Sequence, residues 1–113
     1  MEKKSMNFLV SSEVKATNPD KGITRKVLGF DNQILMAEVY FEKDAIGYQH
    51  QHIHSQTSYV VSGKFEVTIG EKTQILHQGD GFFVEPNLIH GAVCLEAGIL
   101  IDVFSPVRED FIS

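Results

Sequence analysis

The sequence predicts one small, all-β barrel. Its 113 residues are too few to enclose two hydrophobic cores, and 42% hydrophobic with 22% charged residues is typical of a folded globular domain. Glycines and short turns recur roughly every eight to twelve residues, which is the spacing of strands in a sandwich or barrel. No stretch shows a sustained helical period, except for one turn after Pro106. We therefore expect a single domain over residues 1–113.

The expected strands follow in order along the chain. Residues 1–22 are polar and predict an N-terminal arm or one edge strand, whereas residues 34–105 predict the barrel. Alternation of apolar and polar side chains is clearest at residues 64–69, which predicts a strand with one buried face. Ser62-Gly63 and Gly70-Glu71 predict hairpin turns on either side of it. The other expected strands are 34–41, 73–77, 81–85, 91–95 and 99–104.

Charge and cysteine content exclude several kinds of partner. Fifteen acidic against ten basic residues give a net charge of −5, so we expect no nucleic-acid partner, because binding a phosphate backbone needs a basic face. We expect no membrane partner, since no apolar run is long enough to span a bilayer. The single cysteine, Cys94, cannot form an internal disulfide. The apolar stretch at residues 6–10 is too short for a signal peptide, and we predict a cytoplasmic protein.

Three of the five histidines fall close together, at His50, His52 and His54. If this segment is one continuous strand, alternate residues share a face, and these side chains point the same way as that of Gln56. A distant histidine on an adjoining strand, His90, could complete a set of imidazole ligands. The spacing therefore favours a metal centre over a chance cluster.

These residues resemble the two sequence motifs of the cupins, a family of small β-barrels. In the first motif a Gly, an H-x-H pair, a Glu and a second Gly follow one another. The corresponding residues here are Gly47, His50, His52, Gln56 and Gly63. The second motif runs from a Gly through a Pro to a His, and here it falls on residues 79–90. The resemblance covers residues 34–105 and implies a cupin jelly-roll barrel, also called a double-stranded β-helix.

The main departure from the cupin motif is Gln56, which stands where the family usually has a metal-binding glutamate. The metal ligands that the resemblance implies are His50, His52, Gln56 and His90. Because glutamine offers only a neutral carbonyl oxygen, this ligand set carries no charge. An uncharged set leaves the full charge on the ion and makes it a stronger Lewis acid towards an anion. His54 remains the alternative to Gln56 as a ligand.

A second resemblance lies near the end of the chain. Residues 102–111 read D-V-F-S-P-V-R-E-D-F, which is similar to the ending of the pectin-degradation cupins, single-domain proteins that linearise unsaturated uronate monomers. This resemblance implies that Asp102 is catalytic and that Phe104 and Arg108 bind the substrate. Asp102 also stands out in an otherwise apolar strand, where a carboxylate is costly unless it is paired or used. The guanidinium of Arg108 could orient a carboxylate through two parallel N–H bonds.

Three functions remain open at this level. The first is metal-dependent, isomerase-like conversion of a cyclic 4,5-unsaturated uronate to its linear keto-aldehyde, with zinc, nickel, manganese or iron as a Lewis acid. The second is a metal-dependent dioxygenase or another sugar-processing cupin. The third is a non-catalytic cupin that binds a small molecule. For the first function we expect one divalent transition metal, a small anionic sugar as substrate and, as is usual in cupins, a homodimer.

Overall fold

A computed structural model describes residues 3–112, and its regular structure is almost entirely β-strand, as the sequence predicts. The eight strands are β1 (Thr17–Asp20), β2 (Ile23–Phe30), β3 (Leu35–Phe41), β4 (Ile46–His50), β5 (Ser55–Ile69), β6 (Lys72–His77), β7 (Gly81–Val84) and β8 (His90–Ser105). A 3-10 turn at Ser11–Glu13 precedes them, and the single-turn helix α1 (Glu109–Ile112) follows them. Within the described residues no helix has the length and apolar character needed to cross a membrane.

The strands form one antiparallel sheet that folds over on itself. Its hydrogen-bonded order is β1-β2-β3-β8-β5-β6, with β4 added to β8 and β7 added to β5. The long strands β5 and β8 pair from Ser55 opposite Ser105 to Ile69 opposite His90. One half of this ladder is extended by β3 and β7, and the other half by β4 and β6. Two layers therefore face each other, which is the jelly-roll arrangement of the all-β prediction.

The two long strands bend where they pass from one layer to the other. The pairing of β5 with β8 shifts register between Val60 and Phe65. Gly63 lies at this bend with a φ of +85°, and a Cβ there would stand 2.6 Å from the carbonyl oxygen of Glu96, so only glycine fits. The predicted hairpin turn at Ser62-Gly63 is therefore wrong, because these residues form a bulge inside β5. The predicted strands 91–95 and 99–104 are likewise one strand, β8.

The hydrophobic core lies between the two layers. Along β3 the side chains alternate, with Leu35 and Ala37 fully buried and Met36 and Tyr40 exposed on the outer face. Phe65 from β5 meets Phe41 edge to face, with ring centroids 5.2 Å apart. Burial of each large apolar side chain stabilises the fold by about 1.5–3 kcal/mol. The largest fully buried residues are Phe65, Leu35, Val60, Val84 and Cys94.

The N-terminal part of the chain adds an edge strand to the sheet. The four residues of β1 are all exposed, and Thr17 pairs with Arg25 of β2. On its other side, β2 pairs with β3, where Arg25 lies opposite Val39. This arrangement brings Arg25 to the pocket described below, although it is far in sequence from the other residues that line it.

Candidate metal and substrate site

Three histidines converge at one end of the barrel. His50 is the last residue of β4 and His90 the first of β8, and the two lie opposite each other in the ladder. His52 follows in the loop after β4. One ring nitrogen from each of the three lies within 4.8 Å of the others. At this spacing the three imidazoles could hold one metal ion.

The segment that carries the histidines is not one strand. β4 ends at His50 and β5 begins at Ser55, because the chain has to turn between them. The expectation that residues 50–56 share a face of a continuous strand is therefore wrong. The ring of His54 instead reaches the C-terminal segment, where its Nε2 donates to the carbonyl oxygen of Val107 at 3.1 Å. His54 thus anchors the loop, and the nitrogens that converge are those of His50, His52 and His90.

Backbone carbonyls determine where the three converging rings carry their protons. The Nδ1 atoms of His50, His52 and His90 each contact a carbonyl oxygen. These oxygens belong to Tyr48, His54 and Leu88, at 2.9, 3.1 and 2.9 Å respectively. A carbonyl oxygen can only accept, so each Nδ1 donates and each Nε2 keeps its lone pair. Burial lowers the pKa of His52, and it lowers the pKa of His90 to about 4, which keeps both rings neutral at pH 7.

Gln56 is buried and directs its side-chain oxygen at the same histidines. Its Oε1 lies 3.0 Å from Nε2 of His52 and 3.1 Å from Nε2 of His90. Its amide nitrogen donates to Oγ of Ser58 at 3.0 Å, and the Ser58 hydroxyl donates to Oδ1 of Asp102 at 2.6 Å. Because Ser58 has a single proton and gives it to the carboxylate, Gln56 must present its NH2 group to Ser58 and its oxygen to the histidines.

The chemistry of this donor set fits a cation. The lone pairs of His52 Nε2 and His90 Nε2 each face Gln56 Oε1, at 3.0 and 3.1 Å, with no proton between them. Such acceptors repel each other unless a positive charge lies among them. Neutral nitrogen and oxygen donors suit divalent transition metals of borderline softness. The residues present therefore fit the kind of ion that the sequence resemblance implies.

A pocket of about 320 Å³ opens beside the histidines. Its lining includes five of the residues expected from the sequence, namely His50, Gln56, Asp102, Phe104 and Arg108. Arg25 and Phe111 line the same pocket. Since ligand pockets begin at roughly this volume, it suits a small molecule of about the size of a monosaccharide.

Asp102 is the carboxyl group of this pocket. Burial raises its pKa to about 6, although the hydrogen bond from Ser58 and the charges of Arg108 and Arg25 act in the opposite direction. A carboxyl group that titrates close to neutral pH can both accept and release a proton there.

Phe104 forms the apolar wall of the pocket. The side chain is 2% exposed, and its ring packs edge to face against His52 and Phe111, with centroids 5.6 and 5.4 Å away. These contacts let Phe104 support the ring of His52 on one side and the C-terminal turn on the other.

Arg108 is held by an acidic neighbour. Its Nε and Nη2 donate to the two carboxylate oxygens of Asp110 at 3.0 and 2.8 Å, and these bonds hold the pKa of Asp110 below its usual value. Its Cζ also lies 4.9 Å from the ring centre of Phe104 and 4.3 Å from that of Phe111. The edge formed by Nε and Nη2 is thus engaged, which leaves Nη1 and the second hydrogen of Nη2 as donors towards a ligand.

Residues 37–104, more than half of the chain, match the Cupin_2 family model, described as a cupin domain. The chain belongs to the cupin family. Over 107 residues it is 41% identical to the pectin degradation protein KdgF of Dickeya dadantii (strain 3937). This match covers 93% of this chain and 97% of that protein. This relationship over almost the whole chain confirms the resemblance to the pectin-degradation cupins.

Two solved cupin structures are also very similar. An RmlC-like cupin from Shewanella frigidimarina NCIMB 400 has a TM-score of 0.94 at 44% identity and covers 96% of this chain and 98% of its own. KdgF from a Halomonas species has a TM-score of 0.89 at 35% identity and covers 96% of this chain and all of its own. Both matches agree with the cupin barrel described above.

Sequence reasoning gave no role to Ser58, Arg25 or Phe111 at the site of this cupin. Ser58 could have been found, because it lies two residues after Gln56 on the same strand and so shares its face. Phe111 ends the motif at residues 102–111, although the resemblance assigned it no role, and Arg25 carries no local signal. Only the folded chain brings the Arg25 guanidinium to 3.6 Å from the ring centre of Phe111.

Proposed function

We propose that this cupin is a metal-dependent enzyme that converts cyclic 4,5-unsaturated uronate monomers to the linear keto-aldehyde form. The observation that carries the proposal is a single pocket where a neutral ligand set for a metal meets Asp102, whose pKa is about 6, and guanidinium groups. The relationship to a curated pectin degradation protein supports a sugar-derived substrate.

The proposed metal ligands are Nε2 of His50, His52 and His90 and Oε1 of Gln56. When bound, a divalent zinc, nickel, manganese or iron ion supplies Lewis-acid polarisation of substrate oxygens without redox change. The protein contributes the orientation of these ligands, because each ring is fixed by its Nδ1 bond to a backbone carbonyl and Gln56 is fixed by Ser58.

Asp102 is the proposed proton carrier of the reaction. Opening the ring removes the proton of the C1 hydroxyl, forms the C1 carbonyl and breaks the bond between C1 and the ring oxygen. The ring oxygen leaves as the enolate of C5 and C4, which takes a proton at C4 and becomes the C5 ketone. One proton leaves and one arrives, so a single carboxyl group can serve both steps. Ser58 occupies Oδ1 of Asp102, which leaves Oδ2 for the substrate.

Phe104 and Arg108 are the proposed substrate-binding residues. The Phe104 ring offers an apolar wall to the sugar, and the donors of Arg108 that Asp110 does not engage can hold an oxygen of the substrate. Neither residue needs to transfer a proton in this scheme.

The test is turnover of freshly prepared unsaturated galacturonate by protein loaded with each of the four metals. We expect the ultraviolet absorbance of the conjugated double bond to disappear faster than in buffer, with Asp102→Asn as the inactive control. Failure of every metal-loaded form to accelerate this loss would refute the proposal. Oxygen uptake measured in parallel would instead identify a dioxygenase.

A further inference from the structure

Arg25 is the second guanidinium of the pocket, and the cupin motifs assign it no role. It comes from β2, opposite Val39, and lines the pocket together with His50 and Asp102. Its Cζ lies 3.6 Å from the ring centre of Phe111, a distance typical of a cation–π contact. Phe111 of α1 thus fixes the position of a residue that lies far away in the sequence.

The two arginines of the pocket differ in how their charge is compensated. Arg108 donates two hydrogen bonds to Asp110. For Arg25, no carboxylate within residues 3–112 lies at ion-pair distance, and its buried Nε has no hydrogen-bond partner there. Burial lowers the pKa of Arg25, although attraction to Asp110 acts against this effect. The positive charge that remains available to a ligand is therefore mainly that of Arg25.

The acidic residues around the pocket do not remove this excess charge. Asp110 is engaged by Arg108, and Asp102 is half-buried and titrates near pH 6. Asp20 also lines the pocket, but it lies on the exposed strand β1, where solvent screens its charge. Each acidic group around Arg25 is therefore either engaged by another side chain, as Asp110 is by Arg108 and Asp102 by Ser58, or exposed to solvent, as Asp20 is.

We propose that Arg25 binds the carboxylate of the acidic sugar, and that Arg108, whose charge Asp110 compensates, orients the sugar. The choice of an acidic sugar as ligand rests on the proposed function. The assignment of its carboxylate to Arg25 rests on a separate observation, namely that Asp110 pairs with Arg108 and not with Arg25. Selection of an acidic sugar over the matching neutral sugar then depends on Arg25. A guanidinium without a carboxylate partner binds a ligand carboxylate more strongly than a guanidinium that is already paired with one.

The experiment measures binding of saturated galacturonate, which cannot undergo the proposed reaction, and of neutral galactose to zinc-loaded protein by calorimetry. We expect Arg25→Gln to weaken galacturonate binding by on the order of tenfold to a hundredfold, the effect of removing a charge-assisted hydrogen bond. Galactose binding and the zinc content should not change, and Arg25→Lys should recover part of the affinity.

Lys26→Gln is the matched control. Lys26 is the next residue on β2, and its side chain lies outside the pocket and contacts Ser11, so the substitution removes the same charge without changing the pocket. It should keep the wild-type preference for galacturonate. Equal galacturonate affinity in Arg25→Gln and wild type, or no preference for the acid in wild type, would overturn the inference. Loss of the preference in Arg25→Gln while wild type turns over no uronate would support it and refute the proposed function.

Discussion

Asp102 shows how one residue can serve reactivity at the expense of stability. Burial raises its pKa to about 6 from the usual 3.8, so the folded chain keeps this proton at pH values where the unfolded chain has released it. The free energy of unfolding therefore falls as the pH rises from about 4 to about 6. At neutral pH the protein carries an ionised carboxylate that its surroundings disfavour.

Asp102→Asn should consequently be more stable than wild type at pH 7, by on the order of 2 kcal/mol. Asparagine keeps an oxygen that accepts from Ser58 but cannot ionise, so the difference should vanish below about pH 4. Thermal unfolding of metal-free protein at both pH values checks this expectation. Turnover should fall by about 10²-fold or more. An unfolding temperature at pH 7 equal to that of wild type would mean that the carboxylate costs no stability.

Gln56 is the residue at which metal affinity and reactivity should diverge. Gln56→Glu adds a negative charge next to the histidines, so we expect tighter zinc binding in competition with a chelator. Turnover should fall, because the added charge weakens the Lewis acidity of the ion and because the introduced carboxylate would compete with Asp102 for the single proton of Ser58. Tighter zinc binding with undiminished turnover would show that the neutral oxygen is not required.

At the scale of elements, the loop between β4 and β5 carries histidines with two different roles, metal binding and anchoring of the loop. His90→Ala should lose most of the bound metal, because it removes one of three converging nitrogens. His54→Ala should keep the metal and raise KM, because it removes the tie between this loop and Val107, next to Arg108, and leaves all three converging nitrogens in place. Metal content by elemental analysis and steady-state kinetics separate the two. Full occupancy in His90→Ala would remove this site from consideration.

The same elements show what local sequence can and cannot predict. Strand periodicity predicted 64–69 correctly, because alternation depends on each residue and its immediate neighbours. The bulge at Gly63 was mistaken for a hairpin turn, because both features favour glycine with positive φ. What distinguishes them is the backbone at Glu96, more than thirty residues later. The pairing of Arg25 with Phe111 was unpredictable for the same reason.

At the scale of the whole molecule, the outer face of the β3–β8–β5 layer is unusually apolar. Along its strands, Met36 lies opposite Val103 and Tyr59 opposite Ile101. The exposed fractions of Met36, Tyr59 and the nearby Phe83 are 38%, 51% and 54%. Contiguous apolar surface of this kind is uncommon on monomers, which makes this face the natural place for the homodimer that the sequence resemblance implies.

The homodimer remains a prediction, and light scattering during gel filtration tests it. Wild type should elute with the mass of two chains, and Tyr59→Lys should shift it towards one chain, because a charge on the apolar face is costly to bury. Lys72→Glu on β6, outside this layer, is the control and should elute as wild type does. A monomeric wild type, or a Tyr59→Lys protein that remains dimeric, would contradict the assignment of this face.

The metal-facing and ligand-facing residues meet through one hydrogen-bonded chain, from Gln56 through Ser58 to Asp102. Otherwise the converging histidines lie between residues 50 and 90, whereas four residues that line the ligand pocket, Asp102, Phe104, Arg108 and Phe111, follow residue 101. Because the metal-binding and ligand-binding residues lie in different parts of the sequence, ligand preference can change without loss of metal binding. Laboratory evolution that randomises residues 108–110, which contact none of the converging histidines, can explore new acidic ligands while each variant retains its ion. Libraries at Ser58 will change both properties at once.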